Sequence, residues 1–129
     1  MITADELLRH ARAAAVRAYC RYSEFPVGAA VADAAGKIFL GCNVENASYG
    51  LTVCAERVAI FNAVANGSRP VALAVSCSKG DAAMPSTLMP CGACRQVMTE
   101  FLPDDAAISV DGVRTFRLVE LLPEAFRLM

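Results

Sequence analysis

Near the N-terminus apolar residues recur at helical spacing: Leu7, Leu8, Ala11, Ala14, Ala15 and Ala18 line one side of a segment otherwise rich in Asp, Glu and Arg. The pattern predicts a helix to about Cys20, opened by Thr3-Ala4-Asp5-Glu6, which has the form of a capping box. Val27–Asp33 and Lys37–Val44 are short β-type runs around Ala34-Ala35-Gly36 and read as a hairpin. After a polar loop from Glu45 to Thr52, a second helix is expected from about Val53 to Asn66, stopping at Gly67. Its residues are apolar almost all round, which predicts burial on more than one face. Val71–Ser76 is a further strand, followed by a loop to Pro90 and a third helix from about Cys91 to Phe101. Ala107–Val110 and Val113–Leu118 flank an Asp111-Gly112 turn, and a short helical segment is expected near Val119–Leu122. No repeat, low-complexity tract or linker divides residues 1–129, so the chain reads as one domain. The element order predicts an α/β fold, a mixed sheet of about five strands with helices on both faces.

Composition narrows the class. Hydrophobic residues make up 56 % and charged residues 19 %, which excludes intrinsic disorder. Alanine alone supplies 24 of 129 positions, pointing to close-packed helices and small side chains. A formal net charge of −1 gives no long-range attraction to nucleic-acid backbones or anionic membranes. No stretch of about 18 residues is free of charge, so a membrane-spanning helix is not expected. Asp5, Glu6 and Arg9 stand where an export signal needs an apolar stretch, so a cytoplasmic location is expected. Six cysteines in such a protein point to metal ligation, chemistry or burial rather than disulfides. Cys20, Cys42 and Cys77 have no partner spacing and read as small buried hydrophobes, and His10 as a solvated helical residue.

Two helix starts carry the candidate chemistry. Pro90-Cys91-Gly92-Ala93-Cys94 opens the third helix, and two thiols three residues apart share a face and can grip one ion. Cys54-Ala55-Glu56 opens the second. Helix N-termini favour anions and therefore thiolates, and soft sulfur donors select zinc. Three thiolates leave one position for water, the layout of a catalytic zinc, with Glu56 nearby as base. Residues two apart on a helix differ by about 200° in direction, so Cys54 must stand at the helix edge for this to work. The alternatives are a closed four-cysteine zinc with Cys42 or another thiol as fourth ligand, or a redox Cys-x-x-Cys pair. Neither calls for a carboxylate in the motif.

Further motifs are Phe25-Pro26-Val27-Gly28-Ala29-Ala30, Asn43-Val44-Glu45-Asn46-Ala47-Ser48-Tyr49, Cys54-Ala55-Glu56-Arg57, Pro90 through Val97, and Glu120-Leu121-Leu122-Pro123 through Phe126. With these in order, the sequence resembles the small homotetrameric cytidine deaminases that act on free nucleosides, over nearly its whole length. The resemblance implies a three-layer α/β/α deaminase-like fold with a central mixed five-stranded sheet. It also implies hydrolytic deamination of cytidine and deoxycytidine in pyrimidine salvage, with one Zn²⁺ per subunit. Cys54, Cys91 and Cys94 then correspond to the zinc ligands and Glu56 to the proton shuttle for a zinc-activated water attacking C4. Asn43 and Glu45 resemble the pair that holds the ribose hydroxyls, Phe25 the ring against the pyrimidine, and the Ala55 N–H the group facing the base carbonyl. Tyr49 and Phe126 resemble residues lent to a neighbouring subunit. Arg57, three residues beyond Cys54, is in reach of the ligand sulfurs and reads as offsetting their charge. Departures from the family pattern are Arg21, Met89, a longer approach loop at 78–88 and a short final hairpin. A modified or antibiotic cytosine nucleoside as substrate, a polynucleotide substrate, and a non-catalytic zinc-stabilised domain are the competing readings.

Overall fold

Strand alternation decides where the core sits in the computed structural model, which describes residues 2–128. Strands β1 (Gly28–Asp33), β2 (Ile38–Cys42), β3 (Pro70–Ser76), β4 (Ala107–Val110) and β5 (Arg114–Arg117) form one sheet in the order β2-β1-β3-β4-β5. Only β3 and β4 run parallel; the other pairs are antiparallel. On one face Ala29, Val31, Phe39, Leu73, Val75 and Ile108 pack against helices α2 (Ala55–Ala65) and α3 (Gly92–Phe101). On the other, Ala30, Ala32 and Ala74 meet Leu7 and Ala11 of α1 (Ala4–Ala15). Bulky side chains thus fill the α2/α3 layer, and small ones let α1 lie close. A short helix α4 (Leu118–Leu121) follows β5.

Two glycines set the approach distances. A Cβ on Gly28 would stand 1.9 Å from the Ala11 carbonyl oxygen of α1. One on Gly41 would stand 2.3 Å from the Ala59 nitrogen and 2.4 Å from the Ala55 oxygen of α2. Both helices therefore rest on bare strand backbone, from opposite sides of the β1–β2 pair.

The first helix ends earlier than its periodicity suggests. After Ala15 the chain makes short-range turns (Arg17 N–H to the Ala14 carbonyl, 3.1 Å), then straightens. Tyr19 takes up β-type bonds, donating to the Asn43 carbonyl and accepting from the Glu45 N–H, both at 2.9 Å. Long-range strand pairing wins over helix propensity there. Of the expected stripe, Leu7, Ala11 and Ala14 are buried, and Ala18 only partly. Thr3 caps the helix, its hydroxyl accepting from the Glu6 N–H at 3.1 Å.

Helix α2 also starts later than expected, because Val53 is paired with Val44 through two backbone bonds of 2.9 Å. Within the chain it is not covered on every side: Phe61 is 46 % and Val64 39 % exposed, whereas Ala59, Ile60 and Ala63 are buried. Cys77 is buried, whereas Cys20 and Cys42 are only half-buried. Among the described residues no helix is long and apolar enough to cross a membrane.

Candidate metal centre and active-site cleft

Cys54 and Cys91 are both N-cap residues, with extended backbone (ψ 154° and 167°) immediately before α2 and α3. This resolves the 200° difficulty, since Cys54 stands outside the helix while Glu56 is its second residue. Cys94, the third residue of α3, is buried and comes back over the same N-terminus. The three sulfurs all lie within 4.8 Å of one another. Cys54 to Cys91 is 3.9 Å and Cys91 to Cys94 is 3.4 Å. A tetrahedral zinc with Zn–S bonds of about 2.3 Å requires sulfurs roughly 3.8 Å apart. The cluster fits that ion, and its soft donors suit it.

The ionisation of the cluster tells the same story. Donation from the Cys94 thiol, and then from Arg57, holds the Cys54 thiol down at about 5 despite the cost of burial. Cys94 is pushed far above the ordinary thiol range, because its proton serves Cys54 and burial adds to the effect. Cys54 and Cys94 are ionised together only if a cation joins them. Arg57 donates Nη2 to the Cys54 sulfur at 3.5 Å. Its Nε is the one buried side-chain nitrogen or oxygen among the described residues that has no hydrogen-bond partner.

Glu56 is 4 % exposed, and burial raises its carboxyl to about 7, the charge on Cys54 adding to the shift. A carboxyl near neutrality takes up and releases protons readily. It lines a cleft of 520 Å³ together with Cys54, Cys91, Ala55, Phe25, Asn43 and Glu45. A smaller groove of 330 Å³ adjoins it, sharing Ser23, Glu45 and Thr52, and reaches Tyr49.

Asn43 and Glu45 also have structural partners. Asn43 Oδ1 accepts from the Val27 N–H and Nδ2 donates to the Phe25 carbonyl, each at 2.9 Å, so this side chain braces the segment carrying Phe25. Glu45 Oε1 accepts from the Tyr22 and Ser23 N–H groups at 3.1 Å, and Oε2 accepts from the Ser23 hydroxyl. These bonds keep the Glu45 carboxyl below its ordinary range, the Ser23 hydroxyl contributing most. Tyr49 is 79 % and Phe126 70 % exposed. Phe126 lies away from its own chain's cleft, beside α3, where its carbonyl accepts from Gln96 at 3.1 Å.

The cleft wall includes Val75 and, from the long approach loop, Thr87 and Leu88, which the sequence did not single out, together with Cys77, expected only as a buried hydrophobe, and Met89, marked only as a departure from the family pattern. That loop closes on the Thr87 hydroxyl, which accepts from the Asp81 N–H and donates to the Met84 carbonyl, both at 2.8 Å. The unusual length of 78–88 was the only signal for it.

Comparison with known proteins places this site in a class. The sequence profile of the cytidine and deoxycytidylate deaminase zinc-binding region matches residues 1–109. The chain belongs to this family of zinc-binding deaminases. More particularly, it is 45 % identical over 125 residues to the cytidine deaminase of Halalkalibacterium halodurans, covering 93 % of this chain and 91 % of that one. It is 45 % identical over 119 residues to a Mycobacterium tuberculosis cytidine deaminase, covering 92 % and 86 %. The crystal structure of the Burkholderia pseudomallei cytidine deaminase matches with a TM-score of 0.87 at 44 % identity, over 97 % of this chain and all (100 %) of that one. That from M. tuberculosis matches at 0.86 and 41 % identity, over 99 % and 100 %.

Proposed function

We propose that the protein hydrolyses the amino group of cytidine and deoxycytidine, giving uridine and deoxyuridine plus ammonia. The observation that carries this is a three-sulfur cluster of zinc dimensions in one cleft with a buried carboxyl, in a chain of the deaminase family. Cys54, Cys91 and Cys94 hold one zinc per chain, which when bound supplies a Lewis acid and lowers the pKa of water. The chain's own residues do the rest. Glu56 takes one proton from the attacking water and delivers it to N3 of the base; it then takes the second proton, from the hydroxyl now on C4, and delivers it to the amino nitrogen, which leaves as ammonia while the C4 carbonyl forms. The Ala55 N–H is one of the free donors of the first turn of α2 and faces the base carbonyl. Phe25 packs against the pyrimidine.

The hydrogen-bond inventory suits a sugar. A carboxylate offers about four acceptor sites. Glu45 spends three of them on Tyr22 and Ser23, leaving one on Oε2. Asn43 Nδ2 has a second hydrogen beyond the one given to Phe25. One donor beside one acceptor is the complement of a sugar hydroxyl pair. The cleft lining carries two carboxylates, Glu45 and Glu56, and no cationic side chain, which favours an uncharged nucleoside over a phosphate-bearing substrate.

We further propose that the catalytic domain spans residues 1–129 and works in the cytoplasm, in pyrimidine salvage, as a homotetramer. The exposed apolar residues of α2 support assembly, and the exposure of Tyr49 and Phe126 leaves both free to contact a neighbouring subunit. The test is ammonia release by the purified protein. Cytidine and deoxycytidine should be turned over with kcat/KM well above that for free cytosine. Equal values, efficient deamination of single-stranded DNA, or turnover confined to a modified cytosine nucleoside would overturn the reading.

A further inference from the structure

The back wall of the cleft is the end of β3, and it is held from behind. Alternation turns Val75 and Cys77 toward the cleft and Ser76 toward α1, where it is 6 % exposed. Ser76 lies one residue past Val75–Val110, the last register pair between β3 and β4. Ladder bonding to β4 has stopped there, and a side-chain network takes over. The Ser76 hydroxyl donates to Asp111 Oδ2 at 2.8 Å. Arg12 of α1 grips the same carboxylate with both arms of its fork, Nε to Oδ2 at 2.8 Å and Nη2 to Oδ1 at 2.7 Å. The Asp111 backbone N–H donates to the Val75 carbonyl at 3.0 Å.

Asp111 thus holds two consecutive residues at the end of β3, Val75 through its backbone N–H and Ser76 through its carboxylate, and the charge-assisted bonds of that carboxylate to Ser76 and Arg12 set direction as well as distance. It reaches further through its neighbours. Leu88 Cδ1 lies 3.4 Å from where a Cβ on Gly112 would stand, so the turn after β4 backs the loop side of the cleft. Cys77 donates its thiol to the Thr87 carbonyl at 3.7 Å, tying the two walls together.

We propose that Ser76 and Asp111 are positioning residues for the deamination, setting the Val75–Cys77 wall and the Leu88 side against which the substrate lies. The proposal rests on the cleft being the nucleoside site. The experiment compares Ser76→Ala, Asp111→Asn and the double variant for kinetics on cytidine, zinc content and thermal melting. Each single change should raise KM about 3- to 10-fold with kcat changed by no more than about twofold, since a displaced wall misplaces substrate. Zinc content should stay at the wild-type level. The KM of the double variant should equal that of the worse single one, because both act through one bond. A wild-type KM in Ser76→Ala, whatever its melting temperature, overturns the proposal. So do KM increases that multiply in the double variant. Should Asp111→Asn fail to fold, Arg12→Lys decides in its place, because it keeps the charge but loses the fork. A raised KM there supports the proposal and an unchanged one overturns it. Phe25→Ala separates the two layers of inference. Raised KM in Phe25→Ala alone removes the positioning role and leaves the nucleoside site standing, whereas unchanged KM in both removes the two together.

Discussion

At Glu56 and Arg57, two adjacent residues divide the work around the cysteine cluster. In the proposed reaction Glu56 carries a proton and is not a ligand, so Glu56→Gln should keep about one zinc per chain while activity falls by ~10²–10⁴-fold. Metal analysis beside an ammonia assay reads both quantities, and zinc lost together with activity would make Glu56 a structural part of the metal site. Arg57 faces a different problem. Zinc with three thiolates sums to −1, and this excess weakens the ion as a Lewis acid. A guanidinium donating to the Cys54 sulfur draws charge from it. Arg57→Ala should therefore lower kcat and loosen zinc, with KM changing less. Adding Cys54→His should restore part of the loss, because a neutral imidazole removes one negative charge. No recovery in a folded, zinc-loaded double variant would show that ligand charge is not the controlling factor.

At the scale of elements, the site depends on how closely helices sit on the sheet. Helix α2 carries Cys54 at its N-cap and lies on Gly41, where a Cβ would collide with backbone at 2.3 Å. Backbone cannot rotate away, so Gly41→Ala should cost about 1–3 kcal/mol and weaken zinc binding by shifting α2. Gly50→Ala, with nothing within 4 Å, should leave melting unchanged. Equal melting of both variants would remove the close approach as an explanation. On the opposite face α1 is tied down by Arg12 and Asp111. The Arg12 bonds are the main reason the Asp111 carboxyl stays below its ordinary range. A depressed carboxyl adds stability above the unfolded value near 4 and loses it as pH falls through the folded one. Arg12→Ala should therefore be less stable than wild type at neutral pH, by at most about 1 kcal/mol for so exposed a pair. That gap should close in acid. Denaturant melts giving a gap independent of pH would contradict it.

For the whole molecule, the distribution of apolar surface points outward. Phe61 and Val64 on α2 remain exposed although the helix is apolar nearly all round. A second copy of the chain on this face would bury them, and in the proposed assembly the exposed Tyr49 and Phe126 serve a neighbouring cleft. Phe61→Ser should reduce the sedimenting mass and raise KM together, and Phe126→Ala should raise KM while leaving zinc content unchanged. A monomer of full activity in sedimentation experiments would refute shared sites.

The sequence by itself determined the element order, the five strands and the three cysteines that gather into one cluster, with Glu56 beside them in the same cleft. These features are local. Periodicity and capping depend on residues within about four positions, and Pro-Cys-x-x-Cys contains half its geometry in its own spacing. Only the tertiary structure decided where α1 ends, since Tyr19 answers to Asn43 and Glu45 in bonds that no helical pattern encodes. It also decided which side of α2 the sheet covers, what Asn43 and Glu45 brace, and that Cys77, Thr87 and Leu88 wall the cleft. The Arg12–Asp111 bond spans 99 positions. Such partners meet because β3 and β4 run side by side beneath α1, and sheet topology, not chain neighbourhood, sets what a side chain touches.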